Sequence, residues 1–122
     1  MVLVDTSVWV SHFREGNLKL ASLLDEGEVV CHPFVVGELA CGNLRNRAEI
    51  LSLLQSLPMS IEAQHEEVME FIDSKNLMGK GLGYVDIHLV VSALLTGIAL
   101  WTLDRKLKQA ADMLRIGYEW EV

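Results

Sequence analysis

Val2-Leu3-Val4-Asp5-Thr6-Ser7 begins with three apolar residues, two of them β-branched, and stops at a carboxylate followed by two hydroxyls. A short apolar run of this kind suits a strand buried on both faces of a parallel sheet. In an open α/β sheet, ligands bind outside the carboxyl ends of the strands, so Asp5 stands where chemistry is usually sited. An Asp there also suits the N-cap of a following helix, and the stretch alone leaves both readings open. The choice turns on whether other isolated acids arrive at the same place.

Outward from that strand, Val8 to Phe13 predicts a short helix closed by Gly16-Asn17, and Leu20, Leu23 and Leu24 predict another up to Gly27. Val29-Val30-Cys31 reads as a second strand. Pro33, suited to a first helical position, opens a helix that ends at Gly42. Ile50, Leu51, Leu54 and Leu57 give a further helix stopped by Pro58, with Met59-Ser60-Ile61 as a brief strand after it. A polar helix over Glu62 to Asn76 buries Val68, Phe71 and Ile72. The loop Gly79-Lys80-Gly81-Leu82-Gly83 leads into an apolar helix from Tyr84 to Leu95. Ile98 to Trp101 is the clearest strand after the first, Asp104 starts the last helix, and Tyr118-Glu119-Trp120 adds an edge strand. Alternating strands and helices predict a three-layer α/β/α sandwich around a parallel sheet of four or five strands. The 122 residues are expected to form one domain over 1–122, with 51% hydrophobic and 22% charged residues.

Met1-Val2-Leu3-Val4 has no basic segment ahead of it, and Ile87 to Trp101 is too short to span a bilayer. The expectation is a soluble, cytoplasmic protein. Cys31 and Cys41 then read as reduced residues, and Cys31-His32 lacks the companion spacing of a zinc site. A net charge of −7 argues against a general electrostatic grip on nucleic acid, though not against a local basic patch. Gly79 to Gly83 lacks the pattern of a P-loop.

Most acids have ordinary partners at helical spacing, such as Glu49 with Arg45 and Asp112 with Lys108. Glu38 and Asp86 do not: the residues three and four away from each are apolar or glycine. Asp104 follows the second strong strand as Asp5 follows the first, although it also suits an N-cap paired with Lys108. If both strands are parallel, their acids emerge on one rim. Carboxylates gathered there repel one another, and a hard divalent cation, Mg²⁺ or Mn²⁺, relieves that conflict. With phosphate as the natural fellow ligand, the implied chemistry is phosphoryl transfer or phosphodiester hydrolysis, with metal-activated water attacking in line.

Asp5-Thr6-Ser7-Val8-Trp9, Val36-Gly37-Glu38-Leu39, Gly81-Leu82-Gly83-Tyr84-Val85-Asp86 and Trp101-Thr102-Leu103-Asp104-Arg105 together resemble a PIN-domain ribonuclease, more narrowly a VapC-type toxin of a toxin–antitoxin pair. The resemblance spans essentially the whole chain and departs at none of the four acids. It implies a magnesium-dependent endoribonuclease acting on structured RNA such as tRNA or rRNA. Asp5 and Asp86 would be the firmest metal ligands, with Glu38 and Asp104 holding metal or its water. Ser7 and Thr102 match hydroxyl positions lining such centres, as alternatives to plain capping and strand-end roles. Lys80 and Arg105 are candidates for contact with RNA. A VapB-type antitoxin and a homodimer are the implied partners. The competing readings are a catalytically silent PIN-like module that binds RNA or protein, and an Asp-nucleophile phosphatase. The second would ordinarily want an acid where Ser7 stands.

Overall fold

The computed structural model of the chain describes residues 1–119. β1 (Val2–Val4) runs through the middle of a parallel sheet, with β2 (Val29–Val30) on one side and β3 (Ala99–Trp101) on the other. Leu3 faces Val30 across one pairing and Leu100 across the other, and Val4 faces Trp101. All of β1 and β2 is buried, as the unbroken apolar runs require of strands covered on both faces.

The chain leaves β1 through α1 (Thr6–Glu15) and α2 (Leu18–Asp25) to reach β2. It then passes α3 (Pro33–Ala40), α4 (Arg47–Gln55), α5 (His65–Ser74) and α6 (Tyr84–Thr96), crosses to β3, and ends in α7 (Arg105–Met113). The first connection steps from β1 to β2 and the second steps back from β2 past β1 to β3, so the right-handedness general to parallel crossovers sends their helices to opposite faces of the sheet. The three layers follow, and the strand order reverses at β1, where Asp5 sits. Ile87 to Ala93 of α6 are all buried, which explains an apolar run with no polar stripe.

The edges of the sheet differ from expectation. Three strands pair regularly, and where two more are predicted the chain makes single parallel bridges, Met59 to Cys31 and Gly117 to Leu100. Cys31 N–H donates to Pro58 O at 2.8 Å and Ser60 N–H to Cys31 O at 2.9 Å. Tyr118 N–H donates to Leu100 O at 2.9 Å. Pro58 has no N–H to extend its edge. Trp120, the end of the second predicted edge strand, lies outside the described residues. The helix expected over Glu62 to Asn76 is shorter, starting at His65, because the Glu67 carboxylate accepts the Gln64 N–H at 2.8 Å and closes the first turn there.

Candidate active site

Parallel pairing continues one residue past β1: Asp5 N–H donates to Trp101 O at 2.9 Å, which sets Asp5 beside Thr102. Asp5 Oδ2 accepts the hydroxyls of Thr102 and Ser7, each at 2.7 Å. Each hydroxyl has one hydrogen, so both spend it on Asp5 and serve elsewhere as acceptors. Thr102 Oγ1 takes the Asp104 N–H at 3.0 Å and Ser7 Oγ takes the Leu103 N–H at 2.9 Å. Ser7 N–H completes an N-cap on α1 at 3.4 Å, so the capping reading of Asp5 and the buried-acid reading hold together. Asp5 is 6% exposed.

The other acids hang on the same frame. Asp104 Oδ1 N-caps α7 by accepting the Leu107 N–H at 2.9 Å. It makes no pair with Lys108, whose ammonium turns one helical turn onward to Asp112 at 3.0 Å. Asp86, in the first turn of α6, accepts the Gly83 N–H on Oδ2 at 2.8 Å. Glu38 Oε1 accepts the hydroxyl of Thr6 at 2.7 Å, so the residue after Asp5 ties α3 to the start of α1. Three helix N-termini, those of α1, α6 and α7, thus point at this rim and favour negative charge there.

Burial pushes the Asp86 carboxyl up from its ordinary value; the Gly83 N–H opposes that, and the charges of Asp5 and Asp104 add to it. These three acids therefore sense one another. Glu38 and Asp104 are exposed, so the desolvation argument from sequence applies to Asp5 and Asp86 and not to them.

Each of the four acids spends one oxygen on a fixed hydrogen bond, and among the described residues the other oxygen accepts none. A half-buried carboxyl raised by burial and further by its acidic neighbours, beside oxygens that accept no hydrogen bond, fits a hard divalent cation. Among the described residues, no three His, Cys, Asp or Glu side chains stand arranged to hold an ion by themselves. The fit is therefore to a cation that keeps several waters, as Mg²⁺ does, with one or two direct carboxylates.

Asp86→Asn keeps an oxygen for the Gly83 amide and removes the repelled charge, so the metal-free protein is expected to melt ~2 °C higher near neutral pH. A melting temperature lowered by this change would contradict that electrostatic picture.

Lys80 lines a cavity with Lys106, whereas Arg105 is exposed and makes no side-chain bond or ion pair among the described residues. His88 is buried between Phe34 and Tyr84, with ring centroids at 4.7 and 4.6 Å, and packs away from the acids as its helical position predicts. Arg45 does not pair with Glu49; it precedes α4 and lines a cavity with Glu38. Thr6 was not singled out from sequence. Its only signal there is a hydroxyl next to Asp5, and its partner lies 32 residues away.

A parallel α/β sheet with this rim of acids belongs with a known class: the PIN domain family matches residues 2–113, and the chain is a member of it. Ribonuclease VapC32 of Mycobacterium tuberculosis, in strains CDC 1551 / Oshkosh and ATCC 25618 / H37Rv, is 44% identical over 111 residues, covering 90% of both proteins. The crystal structure of FitAcB from Neisseria gonorrhoeae matches at a TM-score of 0.63 and 20% identity, over 92% of this chain and 94% of that one. That of PAE2754 from Pyrobaculum aerophilum matches at 0.60 and 18%, over 88% of this chain and 77% of that one. At such identities the structural likeness concerns the fold. No helix among the described residues is long and apolar enough to cross a membrane.

Proposed function

We propose that the chain is a metal-dependent endoribonuclease that acts as the toxin of a toxin–antitoxin pair and cuts structured RNA such as tRNA or rRNA. One observation carries this reading: Asp5 and Asp104 stand close enough to Asp86 for their charges to add to the rise that burial gives its carboxyl, while each of the three acids keeps an oxygen unengaged. The likeness to Ribonuclease VapC32 supports it. A VapB-type antitoxin, a homodimer and a cytoplasmic setting belong to the same proposal.

Asp5 and Asp86 would hold Mg²⁺ or Mn²⁺ directly, with Glu38 and Asp104 acting through water. Bound there, the cation supplies a water of lowered pKa and a clamp for a phosphate oxygen. Thr102 and Ser7 fix the Asp5 carboxylate through Oδ2 and leave Oδ1 unengaged for that role. Exposed Glu38, oriented by Thr6, has Oε2 to take a proton from an attacking water. Asp86 is held by the α6 first turn, so its unengaged oxygen has little freedom to swing away.

The second reading is a PIN-like module that binds RNA or protein without cutting. Incubation with a cellular RNA pool separates the two. Discrete new RNA ends with Mg²⁺, abolished by excess chelator, are expected; intact RNA in both lanes leaves only the silent module.

A further inference from the structure

The carboxylate of Asp86 is held by the amide of Gly83, and Gly83 is the last residue of the loop ahead of α6. Where that amide stands decides where the carboxylate rests, so whatever fixes the loop also fixes Asp86. Buried Leu77 ties down its beginning, and half-buried Leu82 packs against both apolar clusters of the core. Between these anchors Met78, Gly79, Lys80 and Gly81 are all exposed. Glycine has no side chain to pack and loses the most backbone freedom on ordering, so this stretch is held only by a contact brought to it from outside.

The last helix brings one. Lys106 is the second residue of α7, standing between Asp104, whose Oδ1 caps the helix, and Leu107, which is fully buried. From that fixed start its side chain runs along a cavity of about 200 Å³ between loop and helix and reaches Gly81. Lys106 Cδ and Nζ each lie 2.5 Å from the point where a Cβ on Gly81 would stand, so a side chain there would displace them. Gly81 also has φ +76°, which independently favours glycine. Lys106 makes no ion pair or side-chain hydrogen bond among the described residues. Packing of its stem on the Gly81 backbone, with the ammonium left in water, therefore accounts for where it lies.

We infer that Lys106 is a positioning residue whose aliphatic stem straps the 79–83 loop to α7 and so holds Asp86 in place relative to Asp104. Both acids are then referred to one helix: Asp104 as the cap of α7, and Asp86 through Gly83, the loop and Lys106. The stem does the holding, and the charge does not. The strap stands on the packing alone, whereas its consequence for metal binding rests on the ribonuclease reading.

The test separates stem from charge and strap from metal. Hydrogen exchange of the Gly83 amide is measured in metal-free wild type, Lys106→Ala and Lys106→Met. Lys106→Ala removes the strap and is expected to speed that exchange about tenfold. The Leu77 amide, bonded to Ile72 O at 3.0 Å, is expected to stay unchanged. Lys106→Met keeps an unbranched stem without the charge and is expected to exchange like wild type. Gly81→Ala, which drives the stem off, is expected to match or exceed Lys106→Ala. Because Lys106 is exposed, both of its variants are expected to melt within ~2 °C of wild type. Mn²⁺ affinity, measured by calorimetry, is expected to fall about tenfold in Lys106→Ala and to hold within about twofold in Lys106→Met.

Unchanged Gly83 exchange in Lys106→Ala, or equally fast exchange in Lys106→Met, overturns the strap. So does acceleration of Leu77 together with Gly83, which makes Lys106 an ordinary packing residue. Faster Gly83 exchange with undiminished Mn²⁺ affinity in Lys106→Ala overturns the hold on Asp86. If wild type binds no Mn²⁺, the metal reading falls instead, and the Gly83 exchange alone decides the strap.

Discussion

Asp5→Asn is expected to lower RNA cleavage by at least about a thousandfold, corresponding to about 4 kcal/mol of lost stabilisation, while the protein stays folded. The fold survives because the change is nearly isosteric. An Asn oxygen placed at the Oδ2 position still accepts Thr102 and Ser7, and the amide nitrogen takes the Oδ1 position, where no described residue donates. Only the charge and the outward-facing acceptor are lost. Thr102→Val makes a graded comparison: it removes one orienting hydroxyl and frees the Asp104 amide, but leaves the carboxylate in place. A loss of about 10- to 100-fold is expected there. Steady-state cleavage of one RNA by both variants, with thermal melts alongside, checks the pair. Equal activity of Asp5→Asn and wild type would remove Asp5 from the reaction.

The largest effect of pH on stability is expected at His32, which is buried and N-caps α3, the helix that carries Glu38. Its Nδ1 accepts the Phe34 N–H at 2.9 Å and so carries no proton; Nε2–H then points to Ser92 Oγ at 3.2 Å. Burial lowers its pKa from 6.5 to about 4, with Glu62 opposing and His88 assisting. Between those values the unfolded chain binds a proton that the native state refuses. Stability therefore falls as pH drops through this window, by about 2 kcal/mol between pH 7 and pH 5. Denaturant unfolding at the two pH values measures the loss, and His32→Asn, which retains a capping oxygen but does not titrate, should show a correspondingly smaller pH dependence. Imidazole resonances of His32 that titrate near pH 6.5 in the folded protein would contradict the assignment.

How much of this was legible in the sequence follows from the range of the forces involved. Val2–Val4 and Ala99–Trp101 announce themselves because a strand covered on both faces has to be apolar throughout, and an acid directly after such a run has few explanations. With parallel strands, the meeting of Asp5 and Thr102 then follows from register alone. Asp86 was legible for a related reason, since an acid without a cationic neighbour on an apolar helix has to be compensated from elsewhere.

Other features depend on side chains that meet only in three dimensions. Thr6 finds Glu38 across 32 residues, and nothing in the periodicity of α3 foretells that Glu38 lies exposed. Arg45 has a plausible helical partner in Glu49 until the fold puts it ahead of α4. Lys108 has two acids at equal spacing, Asp104 and Asp112, and the Leu107 amide already occupies an oxygen of the first. The sheet edges were legible as places where short segments join the sheet, and there the described residues pair through single bridges at Met59 and Gly117.

The central claim is that Asp5 and its neighbouring acids form a seat for a divalent cation. It is tested most directly by melting chelator-stripped protein over a Mn²⁺ titration, wild type beside Asp5→Asn. At a hundredfold excess over Kd, the wild type is expected to gain about 2.7 kcal/mol, a rise in Tm on the order of 10 °C, with little change in the variant. A wild-type melting temperature unmoved by saturating Mn²⁺, or raised equally in both proteins, would contradict the account.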